Sequence, residues 1–245
     1  MKPLPETPSD APRLLAFGAH PDDLEFGCGA ILALEGLRGS RLNFVVCSQG
    51  ESATHGTPED RRREAKEGAD QLGASLEFVD LGGDAHLERS VSHALSLAAV
   101  IRRVQPQWVL APTLVENQHP DHAVLGSLVR DAARLARYGG VAELKSLPPH
   151  SIDQLFYYAV GPEGEPREVS AVWVDVSAPS VLERWKRAMN AHVTQAKTRD
   201  YVELQLTRAR LLGLRAGVHY AQALYPADPI VISNLTSLGL GARRF

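Results

Sequence analysis

The feature that most constrains this chain is a regular alternation, as far as Gly140, of short apolar runs with segments of helical period. Leu14-Leu15-Ala16-Phe17-Gly18-Ala19 reads as a buried strand that stops at His20-Pro21, and residues 27–38 follow with Ile31, Leu32, Leu34 and Leu37 as an apolar stripe. Asn43-Phe-Val-Val-Cys47 is a second strand, and Thr57-Pro58-Glu59 opens a helix that runs to Leu72 before Gly73. Residues 76–81 make a third strand and 91–104 a third helix; Trp108-Val-Leu-Ala111 makes a fourth strand, and residues 122–138 a helix ended by Gly139-Gly140. Repeated strand–helix units predict an α/β fold, a Rossmann-like doubly wound and mainly parallel sheet with helices on both faces. Beyond Gly140, residues 154–160 and 171–176 read as two further strands around the turn-rich Gly161-Pro-Glu-Gly-Glu-Pro166, and residues 179–190 and 198–214 as helices. With no repeat or linker in view, residues 1–245 form a single domain, with the Pro-rich residues 1–12 as a flexible N-terminus.

Charge narrows the classes of function. Lys+Arg number 26 against 29 Asp+Glu, a net charge of -3, which argues against a nucleic-acid partner. The basic run Arg61-Arg62-Arg63 is interleaved with Glu59, Asp60, Glu64 and Glu67, the pattern of a solvated helix face. Cys28 and Cys47 stand at no metal-ligand spacing and read as buried thiols of a reducing compartment. No segment approaches the ~20 apolar residues of a membrane span, and the N-terminus has no apolar signal core, so the expectation is a cytoplasmic protein with no membrane partner.

Ligands of open parallel sheets bind outside the carboxyl ends of the strands. Two polar clusters fall there: Ala19-His20-Pro21-Asp22-Asp23 after the first strand and His119-Pro120-Asp121-His122 after the fourth. Either alone is compatible with an ordinary turn; the two together are a candidate site if strands one and four are neighbours. Catalytic zinc takes three protein ligands and a water, and His20, Asp23 and a histidine of the second cluster supply such a set. Zinc lowers the pKa of its water to ~7, and Asp22 can then take the proton. The spare histidine can donate to a developing oxyanion or to a leaving amine. A dinucleotide site is disfavoured, because His-Pro-Asp-Asp fills the turn where a Gly-x-Gly-x-x-Gly would stand.

Phe17-Gly-Ala-His-Pro-Asp-Asp-Leu-Glu-Phe-Gly-Cys-Gly-Ala30 and His119-Pro-Asp-His122 closely resemble the LmbE-like (PIG-L) deacetylases, zinc enzymes that remove N-acetyl groups from glucosamine-containing substrates. Ser48-Gln-Gly-Glu51, Gly56-Thr-Pro-Glu-Asp-Arg-Arg-Arg-Glu-Ala65, Ala191-His-Val-Thr-Gln195 and Ala216-Gly-Val-His-Tyr-Ala-Gln-Ala-Leu224 extend the resemblance over nearly the whole chain. It implies zinc, with Fe2+ also accommodated by such a donor set, on His20, Asp23 and His122. It implies Asp22 as general base, His119 as the group that stabilises the oxyanion or protonates the amine, and Asp121 as a residue orienting a motif histidine. Arg61 matches a substrate-contacting arginine, with a helix-face charge as its plainer reading, and Glu51 is a pocket candidate that would otherwise cap a loop. The implied partner is a small amino-sugar substrate, and family members assemble as homo-oligomers, trimers or hexamers.

Ser146-Leu-Pro-Pro-His150 resembles the branch that deacetylates N-acetylglucosaminyl malate in bacillithiol synthesis. The departures from the pattern are Glu116-Asn117-Gln118 before the second cluster, His219 in place of Glu, and Gln222 in place of Glu; all three alter polarity that faces the substrate if they line the pocket. The alternatives are a thiol-sugar conjugate amidase with the same metal chemistry and a catalytically silent metal-binding module. His55, His86, His93, His150 and His192 read as surface or loop histidines.

Overall fold

The computed structural model describes residues 11–116, 119–197, 199–235, 239 and 241. The expectation of a flexible N-terminus therefore falls largely outside the described residues.

Strands β1 (Arg13–Gly18), β2 (Arg41–Val46), β3 (Ser75–Phe78), β4 (Trp108–Pro112) and β5 (Gln154–Tyr158) run parallel. Two more, β6 (Val172–Asp175) and β7 (Ala221–Pro226), close the sheet antiparallel, in the order β3-β2-β1-β4-β5-β7-β6. The chain winds outward from β1 to β3 and then returns to β4 on the other side of β1, so the switch of direction lies between β1 and β4. The period-2 alternation of β1 sorts its side chains between two cores: Leu15 and Phe17 join one, Leu14 and Ala16 the other. The first core is roofed by α3 (Val91–Val104) and α4 (Pro120–Arg137). The second is covered by α1 (Asp23–Leu37), α2 (Pro58–Leu72), α5 (Pro179–Asn190) and α6 (Tyr201–Ala216). This is the mostly parallel α/β sheet that the strand–helix alternation predicts. Among the described residues no helix is long and apolar enough to cross a membrane.

Local chemistry explains the boundaries. At the start of α2 the Thr57 hydroxyl accepts from Asp60 N–H while the Asp60 carboxylate accepts from Thr57 N–H, a reciprocal cap with Pro58 in the first turn. Helix α1 begins at Asp23, four residues earlier than the apolar stripe suggests, and breaks at Cys28 (φ -142°). The backbone groups exposed by that break find side-chain partners from the far end of the chain. Trp185 Nε1 donates to Glu25 O at 2.7 Å, and the Gln222 amide donates to Gly27 O and accepts from Ile31 N–H. Gly27 and Gly29 are glycines because of close packing. A Cβ at Gly27 would stand 2.3 Å from the Tyr158 ring, and one at Gly29 2.6 Å from Trp185. Strand β7, which carries Gln222, was not expected from the sequence.

Arg102 is a second feature absent from the sequence reading. It is 1% exposed, on the core side of α3, and its guanidinium donates to the carbonyls of Ala136, Leu144, Leu147, Leu135 and Tyr138. Three of these carbonyls, those of Leu135, Ala136 and Tyr138, lie at the C-terminal end of α4, where the helix dipole favours a cation. Arg102→Ala leaves several carbonyls without a donor, each worth roughly 1–3 kcal/mol when buried. A loss of at least about 3 kcal/mol is expected in urea unfolding. Arg102→Lys should recover only part of it, since one ammonium cannot span the same fork; a loss under about 1 kcal/mol in the alanine variant would contradict this account.

Candidate active site

The loops after β1 and β4 meet because those strands are paired, Leu14 beside Trp108 and Ala16 beside Leu110. Asp23 opens α1, and Asp121 and His122 lie in the first turn of α4, so both helix N-termini aim at the same point. Gly126 lets α4 approach the end of β4, for a Cβ there would stand 2.3 Å from Pro112 O.

His20, Asp23 and His122 offer donor atoms that lie within 4.8 Å of one another. His122 Nε2 is 3.0 Å from Asp23 Oδ1, and His20 Nδ1 is 3.6 Å from Asp23 Oδ2. Zinc–nitrogen and zinc–oxygen bonds of about 2.0–2.2 Å in a tetrahedron separate donors by roughly 3.3–3.6 Å, so the set has the size and chemistry for such an ion. The Asp23 carboxylate is fixed by the backbone N–H groups of Ala19 (2.8 Å) and His20 (2.9 Å). Burial alone would raise its pKa, but His122 and His20 more than offset that and hold it well below the usual carboxylate range.

The other nitrogen of His20, Nε2, lies 3.3 Å from Asp121 Oδ2 and 3.2 Å from Asp84 Oδ1. Burial acts to lower the His20 pKa, and the surrounding carboxylates of Asp23, Asp121 and Asp84 reverse the sign and raise it. Asp121 also accepts from Ala85 N–H at 2.8 Å. Asp84 was missed at the sequence level. It follows Gly82-Gly83, both at positive φ, at the carboxyl end of β3, where an aspartate reads as ordinary turn chemistry. His119 stands at the rim, 34% exposed, with Nε2 3.4 Å from Asp84 Oδ1 and Nδ1 4.0 Å from Asp121 Oδ2.

Asp22 has the one strained backbone of the loop, with φ 118° in a non-glycine residue. It occupies the N-cap position of α1 yet makes no capping hydrogen bond, and it lines the cleft. Burial pushes its pKa up to about 6, against the pull of Arg61. Arg61 Nη2 lies 3.3 Å from Asp22 Oδ2 and also donates to Pro21 O. Arg61 is 3% exposed, so the plainer reading of it as a solvated helix-face charge is wrong. Without the guanidinium the Asp22 pKa rises further. If Asp22 acts as a base, activity is lost as pH falls through that pKa, and Arg61→Ala should move the acid limb of the rate profile to higher pH. An unmoved limb would show that the pair does not govern the rate.

All three proposed ligands with Asp22, Arg61, Asp84 and His119 line one cleft of about 470 Å3, whose lining also includes Gln195, Arg199 and Tyr201. Glu51 does not line it: its Oε2 accepts from Gln49 N–H and Asp84 N–H, so it fastens the loop that carries Asp84. Gln222 does not line it either, completing α1 as described, and an ionised glutamate there could not donate to Gly27 O. His219 is exposed, and its carbonyl accepts from Arg210. Asn117 and Gln118 lie outside the described residues. His192 is not a loop-surface histidine: it is buried, 3.3 Å from Glu25 Oε2 in an ion pair that lacks hydrogen-bond geometry. His150 lies at the opposite end of the sheet, its Nε2 2.7 Å from Pro106 O.

Residues 15–133 match the PIG-L family, described as GlcNAc-PI de-N-acetylase. A conserved protein of Thermus thermophilus, TT1542, is 30% identical, with a TM-score of 0.78, over 89% of this chain and 96% of its own. The chain belongs to the PIG-L family. As a PIG-L protein it is an enzyme of a metal-dependent hydrolase family. A 1D-myo-inositol 2-acetamido-2-deoxy-alpha-D-glucopyranoside deacetylase of Salinispora arenicola is 30% identical, over 54% of this chain and 54% of that protein, so the chain spans about half its length. A 4-oxalmesaconate hydratase of Pseudomonas putida is 28% identical over 90% of this chain and 91% of that protein.

Proposed function

We propose that this PIG-L protein hydrolyses the N-acetyl group of an N-acetylglucosamine conjugate, releasing acetate and the free amine, with zinc as its metal. The observation that carries this reading is that Asp22 and His119 line the same cleft as the His20–Asp23–His122 set. When bound by those three residues, zinc supplies Lewis-acid polarisation of a carbonyl and a water of lowered pKa. The Asp22 carboxylate, held by Arg61, accepts the proton of the attacking water. His119, at the rim, donates to the developing oxyanion or to the departing nitrogen. Asp121, hydrogen-bonded to His20 Nε2 at 3.3 Å, orients that imidazole, and Nδ1 would then be the atom that binds the metal.

N-acetylglucosaminyl malate is the finer proposal for the substrate and rests on the resemblance of residues 146–150. His150 packs at the far end of the sheet, so that segment does not contribute to recognition within the cleft. A second reading has its own support, because the Pseudomonas putida hydratase matches over nearly its whole length whereas the named inositol-sugar deacetylase matches over half. In it, the same base and metal set add water across a carbon–carbon double bond. One experiment separates the two. The zinc-loaded chain is incubated with N-acetylglucosaminyl malate, with other N-acetylglucosamine conjugates and with 4-oxalmesaconate, and acetate, primary amine and diene absorbance are followed. Amine release supports deacetylation; bleaching of the diene with no amine from any conjugate transfers the assignment to hydration.

A further inference from the structure

The carboxylate of Asp84 has an anomaly. Its Oδ1 is buried and makes no hydrogen bond of acceptable geometry, although two imidazole nitrogens stand beside it. Those contacts are His20 Nε2 at 3.2 Å and His119 Nε2 at 3.4 Å, and Asp121 Oδ2 lies 3.3 Å from the same His20 nitrogen. Charge-assisted hydrogen bonds between nitrogen and carboxylate close to about 2.7–2.9 Å, so all three distances are long for that purpose, although the His20–Asp121 pair keeps hydrogen-bond geometry. They fall instead near the roughly 3.3–3.6 Å that separates donors around a tetrahedral zinc. The four residues His20, Asp84, His119 and Asp121 offer donor atoms within 4.8 Å of one another, and three of them are buried.

We propose that His119, Asp84 and Asp121, with His20 Nε2 as the fourth donor, form a second cation site of the zinc class beside the His20–Asp23–His122 set. Two carboxylates and two imidazoles match zinc better than magnesium or calcium, which prefer oxygen alone. The loop carrying Asp84 is built to hold this geometry. Glu51 takes Asp84 N–H, Ser52 N–H reaches Asp84 Oδ2 at 3.3 Å and its hydroxyl donates to Asp84 O at 3.0 Å, and Asp121 takes Ala85 N–H. The two sites share one histidine through opposite ring nitrogens, so the outer ion binds more weakly than the inner: it competes with whatever proton His20 Nε2 holds. An ion there occupies His119, and on the reading of His119 as proton donor the second equivalent of zinc inhibits the enzyme that the first activates.

The test is a zinc titration of the metal-free full chain by calorimetry, with elemental analysis of each loading step. Two zinc ions per chain are expected, a tight class followed by a weaker one. His119→Gln should weaken the second class at least tenfold and leave the tight class in place, whereas Asp23→Ala should remove the tight class. Asp84→Asn is the companion variant, and thermal melting of both shows whether each is folded before titration. Saturation of the wild type at one zinc overturns the proposal, as does a second class that survives both His119→Gln and Asp84→Asn. Two zinc ions bound as expected in a chain that releases amine from no conjugate would leave this site standing and remove the deacetylase reading.

Discussion

Asp23→Ala is expected to leave a folded chain that has lost its tightly bound zinc and whose turnover falls roughly a thousandfold or more. The reasoning starts from how this carboxylate is held. Its Oδ2 takes two backbone N–H groups of the preceding loop, and its Oδ1 stands 3.0 Å from His122 Nε2, so one side chain spans the loop after β1 and the first turn of α4. His20 and His122 come from opposite sides of the β1–β4 pairing, and the Asp23 carboxylate reaches a ring nitrogen of each. A metal ion contributes several kcal/mol to a hydrolytic transition state, and each ~1.4 kcal/mol is a factor of ten. Elemental analysis and turnover are to be measured on the same sample. A variant that keeps a tightly bound zinc and near-normal turnover would place the catalytic metal elsewhere.

Asp22→Asn should separate binding from chemistry: zinc retained, turnover lowered by roughly two orders of magnitude or more, the usual worth of a positioned base. Asparagine is the informative substitution because it tolerates positive φ better than most residues, and Asp22 stands at φ 118°. The backbone that positions Asp23 one residue later is thereby preserved. The amide can still accept from Arg61 but cannot take a proton from water. Turnover within a few-fold of the wild type, with zinc in place, would assign the base to another group.

Much of this architecture is legible in the residues, and the parts that are not share a cause. Strands β1 and β4 announce themselves as apolar runs buried on both faces, and β2 through its buried Phe44-Val45-Val46. The paired His-Pro-Asp clusters locate the cleft because their loops leave neighbouring strands. Asp84 is invisible by the same logic, since an aspartate after Gly82-Gly83 is what any turn carries, and only its closeness to His20 and His119 distinguishes it. Arg102 could have been found: it follows Ala94 and Ala98 at successive four-residue steps, on the buried stripe of α3, where a charge demands a partner. Strand β7 lacks such a signal. Its residues 221–226 mix Ala, Gln and Pro with two larger apolar side chains, and its place is set by pairing with β5 and β6. Gln222 and His219 read as substrate-facing departures, yet the position of Gln222 is dictated by a broken helix more than a hundred residues upstream.

That broken helix bears on how the molecule is made. The stretch matching the PIG-L family, residues 15–133, contains every donor proposed for the metal. It does not contain Tyr158, Trp185 or Gln222, the three side chains that pack against or hydrogen-bond to α1 around Cys28. A ribosome that has released only this stretch has therefore supplied a full set of ligands on a helix whose Glu25 carbonyl, Gly27 carbonyl and Ile31 amide still await their mates. An excised fragment carrying all the ligands but lacking those three side chains is therefore expected to be a poor trap for the ion.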